Sequence, residues 1–330
     1  MRVVTLLPAA TEIVAAVAPE SLVGVSHECD FPAWVTALPR VTRTSVNVGA
    51  SSAEIDRQVR ALKADGKPVI WVDSQALEAL KPDLIVTQGL CEVCAVADGE
   101  VFRVAERMAS KPRVLSLNAT TLEGIYADVT AVGEAVGHPE EAEEVVGGMR
   151  YKIGQLKRHA PLRSTIEARG TKHDAPRVAV VEWLDPLFLA GHWVPELISA
   201  AGGLDVGAQP GDHSHSRPWS DLLELKPDII IVALCGFSIE RARVEWATQL
   251  PPEAKAVLAQ LQTRPRDHAP MRLQFIDGNQ FTSRPGPRVM EGFVGMAGIS
   301  TGGSGATLGA SRHGALKGLH RVGTGREHPG

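Results

Sequence analysis

Five short runs hold most of the chemistry this chain can offer. His27-Glu28-Cys29-Asp30 places an imidazole, two carboxylates and a thiol in succession. Consecutive residues cannot all face one ion, so this run is either a set of cleft groups or a polar loop with Asp30 capping the next segment. Cys91-Glu92-Val93-Cys94 is a Cys-x-x-Cys pair before a helical pattern, where a helix N-terminus lowers thiol pKa. It fits a zinc half-site, a redox pair, or two thiols lining a pocket; zinc would need His27, Cys29, His192 or Cys235 from distant segments. Gly191-His192-Trp193-Val194-Pro195-Glu196 offers an imidazole to a metal or to the backbone. Cys235-Gly236-Phe237 adds a further thiol and an aromatic ring. Arg284-Pro285-Gly286-Pro287-Arg288 is a stiff arginine pair suited to a carboxylate or phosphate, or else a solvated helix start. His213 and His215 in Gly211-Asp212-His213-Ser214-His215-Ser216 can bind metal at a rim or simply face water.

The elements that must position these runs follow from a repeat. Leu80-Lys81-Pro82-Asp83-Leu84-Ile85-Val86 returns as Leu225-Lys226-Pro227-Asp228-Ile229-Ile230-Ile231. Each reads as a helix end, a turn and a buried β-branched strand. Two copies predict two α/β lobes, with a ligand-sized cleft between them. Strands are expected near 3–7, 22–26, 69–72, 84–87, 114–117, 178–182, 229–233 and 274–277. Helices are expected near 11–18, 52–63, 74–80, 94–108, 194–201, 219–225, 239–250, 254–261 and 287–296. Between the lobes, Leu122, Ile125, Val129, Val132 and Val136 form one apolar stripe, and a second helix runs from about 140 to 159 as a strut. The expected divisions are an N-terminal lobe at 1–120, a helical connector at 121–160, a loop at 161–176, a C-terminal lobe at 177–298 and a disordered tail at 299–330. In open parallel sheets, ligands gather outside the carboxyl ends of the strands. Residues 27–30, 91–94, 183–186, 235–237 and 284–288 all fall there.

Composition narrows the function. The 330 residues carry a net charge of −4, which argues against a nucleic-acid or anionic-membrane surface. No run reaches the roughly 18 apolar residues of a membrane span. The four cysteines are expected to be reduced. Met1-Arg2 leads straight into a strand with no export signal, so a cytoplasmic protein is expected; a trimmed chain would instead belong in the periplasm or at the cell surface. No phosphate loop, dinucleotide fingerprint or Gly-x-Ser-x-Gly elbow appears.

Arg2 to Ile13, Leu22-Val23-Gly24-Val25-Ser26, the two Lys-Pro-Asp strands and the stretch from Trp183 to Trp193 resemble the Fe/B12-type substrate-binding proteins of ABC transporters. Within that family the chain is most similar to the cobalamin-binding branch, in a signal-less subgroup with the Cys-x-x-Cys phrase. The resemblance covers about residues 2 to 296. It implies two Rossmann-like lobes joined by a long helix, with mostly parallel sheets and little hinge motion. It also implies a corrinoid held by aromatic side chains and loops of both lobes. Pro8, Trp34, Trp183 and Trp193 are the candidates for that aromatic wall. Glu28, Cys29, Asp30, Cys91, Cys94, His192, Cys235, Phe237, Arg284 and Arg288 are the other expected ligand contacts. His27 and His192 are the candidate axial or metal ligands. The expected function is non-enzymatic binding of cobalamin or a related corrinoid for uptake, salvage or delivery to an ABC transporter or a corrinoid-utilising protein. A haem, ferric-siderophore or metal-ion binder is the first alternative. A thiol-dependent redox or corrinoid-processing enzyme using Cys91 and Cys94 is the second.

Overall fold

The computed structural model describes residues 1–89, 96, 98–160, 162, 175–263 and 271–297. The expected pair Cys91 and Cys94, most of the loop at 161–176 and the tail at 299–330 lie outside the described residues.

Two sheets carry the fold. The first comprises β1 (Val3–Thr5), β2 (Leu22–Gly24), β5 (Leu84–Gln88) and β6 (Arg113–Leu117), ordered β2-β1-β5-β6 and wholly parallel. A small antiparallel ladder of β3 (Thr42–Thr44) and β4 (Ile70–Val72) stands beside it. The second sheet is ordered β10-β8-β7-β11-β12: β10 (His215–Arg217), β8 (Leu187–Leu189), β7 (Arg177–Trp183), β11 (Ile229–Val232) and β12 (Arg272–Phe275). β9 (Leu204–Asp205) pairs in parallel with the start of β7. The parallel core β7-β11-β12 matches expectation, whereas β8 runs antiparallel to both β7 and β10. β3, β8, β9 and β10, of two or three residues each, lie outside the expected strands.

Helices α1 (Pro8–Val17), α2 (Ser52–Ala64), α3 (Ser74–Leu80) and α4 (Asp98–Arg107) belong to the first lobe. Pro8 sits in the first turn of α1, where its missing N–H leaves no gap. Ser51 caps α2 by accepting from the Glu54 N–H. The connector is α5 (Leu122–Val136) followed by α6 (Pro139–His159). Thr121 caps α5, and Gly137, at φ 83°, ends it. Glu140 and Glu141 open α6 and Lys157, Arg158 and His159 close it, an order that suits the helix dipole. In the second lobe come α7 (Val194–Ala200), α8 (Asp221–Leu225), α9 (Ile239–Gln249), α10 (Pro252–Gln262) and, after a π-helical turn at Gly278–Thr282, α11 (Glu291–Ala297). The helix expected from Pro287 begins only at Glu291. The Val289 N–H reaches the Gly286 carbonyl, so the Pro-rich approach stays a tight turn.

The Lys-Pro-Asp repeat is a structural duplication. Lys81 and Lys226 both adopt the left-handed conformation, at φ 46° and 45°. The Asp83 carboxylate accepts the Arg2 N–H at 2.7 Å, and Asp228 accepts that of Arg177 at 2.9 Å. Arg2 Nε donates to the Leu80 carbonyl at 2.8 Å; Arg177 Nε donates to the Leu225 carbonyl at 3.1 Å. Each clasp fixes the register of the central strand pair, β1 on β5 and β7 on β11.

Three apolar clusters fill the molecule. Two back the outer faces of the sheets. The third runs without a break from α1 and β1 through α5 and α6 to β7, β11 and α7, joining Ile13, Ile125, Met149, Val178 and Ile231. A single buried core therefore spans both lobes, and α6 packs on α1, α5, α7 and α11. Bending the lobes apart would open this core, so large hinge motion is disfavoured.

Candidate functional site

The loop after β2 delivers the His-Glu-Cys-Asp run. Arg40 ties it down by donating to the carbonyls of Ser26 at 2.8 Å and Cys29 at 2.7 Å. His27 Nδ1 lies 2.7 Å from the Thr42 hydroxyl, while His27 Nε2 is buried with no hydrogen-bond partner among the described residues. Burial, then the Arg40 charge, lowers the His27 pKa and keeps the ring neutral. Glu28 is exposed, with protein close around its carboxyl. This desolvation raises its carboxyl pKa against the pull of Arg284. Cys29 departs from expectation. It is 2% exposed, belongs to the shared core and holds the Thr11 hydroxyl at 3.0 Å. Burial pushes its thiol up to about 11, so it is a packing group rather than a cleft thiolate.

Asp30 does not cap the next segment. It reaches across to the other lobe, accepting from Arg284 Nη1 at 2.5 Å and Nη2 at 3.1 Å and from Asn279 Nδ2 at 3.2 Å. Burial alone would raise this carboxyl. The Arg284 hydrogen bonds and charge, with Asn279 and Arg288, outweigh it and hold the pKa below the ordinary value. Arg284 also meets Glu12 at 3.0 Å, and Arg288 clasps both Glu12 oxygens at 2.9 and 2.7 Å. The arginine pair thus holds carboxylates, as its stiffness suggested, but they are the chain's own. Arg284 is 4% exposed, which leaves its guanidinium little reach toward a ligand. Arg288 also lies 3.6 Å from the Phe31 ring.

On the second lobe, the Cys235 N–H bonds the Glu182 carbonyl at 3.0 Å, setting the loop after β11 against the end of β7. Cys235 itself is half-buried. Trp183 meets Phe237 edge-on at 5.6 Å, and the Arg241 guanidinium covers the other side of Phe237 at 3.6 Å. Arg241 bonds the Ala50 carbonyl at 2.7 Å, and Glu245 accepts the Ser52 N–H at 2.6 Å, so α9 touches the start of α2. The Asn279 N–H bonds the Phe237 carbonyl at 3.1 Å. These bonds join Trp183, Cys235, Phe237, Asn279, Arg284 and Asp30 into one connected seam between the carboxyl edges of the sheets.

The remaining aromatic candidates divide. Trp34 is 44% exposed on the loop after β2, and Pro8 is half-buried at the head of α1. Trp193 is 5% exposed, and its indole N–H donates to the Thr282 carbonyl at 3.1 Å; it is a core anchor, not a wall. His192 stacks at a tilt on Trp193, 5.5 Å between centroids. Sequence reading overlooked Glu12, Arg241 and Asn279. Glu12 did leave a signal: it is the sole charge in Pro-Ala-Ala-Thr-Glu-Ile-Val-Ala-Ala-Val, and a carboxylate buried in so apolar a helix requires a partner.

The family model for periplasmic binding proteins matches residues 3–266. The vitamin B12-binding protein of Pectobacterium atrosepticum is 26% identical over 261 residues, 76% of this chain and 77% of that protein. A periplasmic heme binding protein from Pseudomonas aeruginosa superposes with TM-score 0.62 at 19% identity, covering 90% of this chain and 91% of the other. The periplasmic vitamin B12 binding protein of Vibrio cholerae gives 0.59 at 18% identity, covering 91% and 96%. The two structural likenesses carry the fold, and the family match carries the rest: this chain belongs to the periplasmic binding protein family, whose members bind solutes rather than catalyse reactions.

Proposed function

We propose that the protein binds cobalamin or a related corrinoid in the gap between its lobes and passes it to an ABC transporter or a corrinoid-utilising protein. The observation that carries this reading is the seam, which brings the carboxyl edges of both sheets together. The Trp183–Phe237 pair belongs to it, Glu28 lies two residues before Asp30, and the exposed indole of Trp34 follows four residues after Asp30. A broad, flat ligand with a polar rim suits aromatic faces with a few polar groups between them. The similarity in sequence to vitamin B12-binding proteins supports the same ligand class. The core shared by both lobes supports a site that is formed before the ligand arrives.

Haem is the second reading, supported by the superposition on a periplasmic heme binding protein. Purified protein mixed with cyanocobalamin and passed through a sizing column should carry the red colour with it. A hemin titration followed at the Soret band separates the second reading. Colourless protein and an unshifted Soret band would defeat both. As a finer check, Trp183→Ala should weaken corrinoid binding by about 1 kcal/mol, roughly fivefold, in a tryptophan-quenching titration.

A further inference from the structure

We propose that His192 and His213 form a two-imidazole site for a divalent transition-metal ion on the second lobe. His192 Nε2 and His213 Nδ1 lie 3.3 Å apart. Two imidazole nitrogens bound to one tetrahedral ion at the usual zinc–nitrogen length are separated by about 3.3 Å. The two nitrogens are hydrogen-bonded, one ring N–H donating to the other ring, at a separation equal to that bite; a bound ion would replace the shared proton. The rings stand at 88° with centroids 5.1 Å apart, so they are not stacked.

The backbone is built to hold this pair. The His192 N–H donates to the Asp212 carbonyl at 2.6 Å, and the Gly211 N–H returns to the His192 carbonyl at 2.9 Å. A Cβ on Gly191 would fall 2.3 Å from the Asp212 oxygen, so only glycine permits the approach. His192 itself sits at φ 54°, in the left-handed region where histidine, like asparagine and aspartate, is enriched. The crossing of the two loops sets its ring nitrogen against that of His213.

No third His, Cys, Asp or Glu completes a metal-binding group among the described residues. Two coordination positions are left for water or an outside donor. The ion is thus one that favours imidazole and tolerates an open site: Zn²⁺, Ni²⁺, Cu²⁺ or the reporter Co²⁺.

The test uses full-length protein titrated with Co²⁺ and followed by visible absorption. One ion per chain should bind, with weak bands of nitrogen and oxygen ligation and no intense thiolate charge-transfer band. His192→Asn keeps a residue tolerant of positive φ, and His213→Ala alters an exposed side chain. Each should weaken binding about tenfold or more, and the double variant should be no worse than the weaker single. Thermal midpoints confirm that both variants fold. Unchanged affinity in both variants, a dominant thiolate band, or no binding at millimolar Co²⁺ would overturn the site. Corrinoid or haem binding, measured separately, does not bear on the result.

Discussion

Glu12 and Arg284, 272 residues apart, meet at 3.0 Å with side chains only 2% and 4% exposed. One belongs to the first helix of the first lobe and the other to the turn after the last strand of the second. Together with Asp30 and Arg288 they form a charge-balanced knot where the lobes join. Such a knot adds little net stability over an apolar contact, but breaking one side of it strands a buried charge.

That asymmetry sets the first prediction. Arg284→Met should destabilise the fold by about 3–5 kcal/mol, because Glu12 stays buried with only Arg288 to answer it. Adding Glu12→Leu to the same chain should recover a large part of the loss. Urea denaturation of the three proteins decides the matter. A loss below about 1 kcal/mol for the single variant would mean the knot is hydrated in solution.

Acid should loosen the same seam. The folded-state pKa of Asp30 is depressed, so its contribution is fully present above the unfolded value near 3.8 and is lost as pH falls through the folded one. The thermal midpoint of the native protein should therefore drop more steeply than that of Asp30→Asn on descending below about pH 4. Parallel slopes would show that Asp30 is free of Arg284 in solution.

Asp205 works in the opposite sense. One oxygen accepts from the Gly207 and Ala208 N–H groups, while Oδ2 is buried with no hydrogen-bond partner among the described residues. Burial raises its pKa from 3.8 to about 6. Ionisation of this carboxyl therefore opposes folding: stability is greatest below pH 3.8 and is lost as pH rises through about 6. Asp205→Asn keeps the accepting oxygen and removes the charge. It should stabilise the protein at pH 8 by on the order of 2 kcal/mol, with the gain vanishing near pH 4. Melting curves across that range would expose the reverse sign if the carboxylate is solvated.

The cysteines should separate by reactivity. Cys29, buried and held at a pKa of about 11, should resist iodoacetamide in the native protein, while half-buried Cys235 should be labelled before it. Peptide mapping at timed intervals reads the order. Equal labelling would mean that the β2 loop opens on the timescale of the reaction.

The fold was legible because its largest signals are periodic or repeated. The Lys-Pro-Asp phrases marked both central strands, and the apolar stripe through Leu122, Ile125 and Val129 marked α5 as the structure has it. The site was legible as a place more than as a set of contacts. Asp30 meets Arg284 and Trp183 meets Phe237, and Asn279 links the two pairs. Yet whether Arg284 would meet a ligand or Glu12 depends on a partner 272 positions away, which no local window contains. Trp193 and Cys29 look like cleft groups by residue type, and only tertiary packing assigns them to the core. His192 was noticed for its imidazole; its pairing with His213 comes from the Gly191–Asp212 crossing, a loop-to-loop contact invisible to periodicity.

The twin Arg–Asp clasps have a bearing on how selectivity can change. They bolt the amino-terminal margins of both sheets, at Arg2–Asp83 and Arg177–Asp228, on the side away from the proposed ligand gap. Strand order is secured there, while Cys29, Asp30 and Phe237 anchor the opposite margin. A loop grafted after β2 or β11 that keeps those three residues should then retune what the protein holds without unravelling its scaffold.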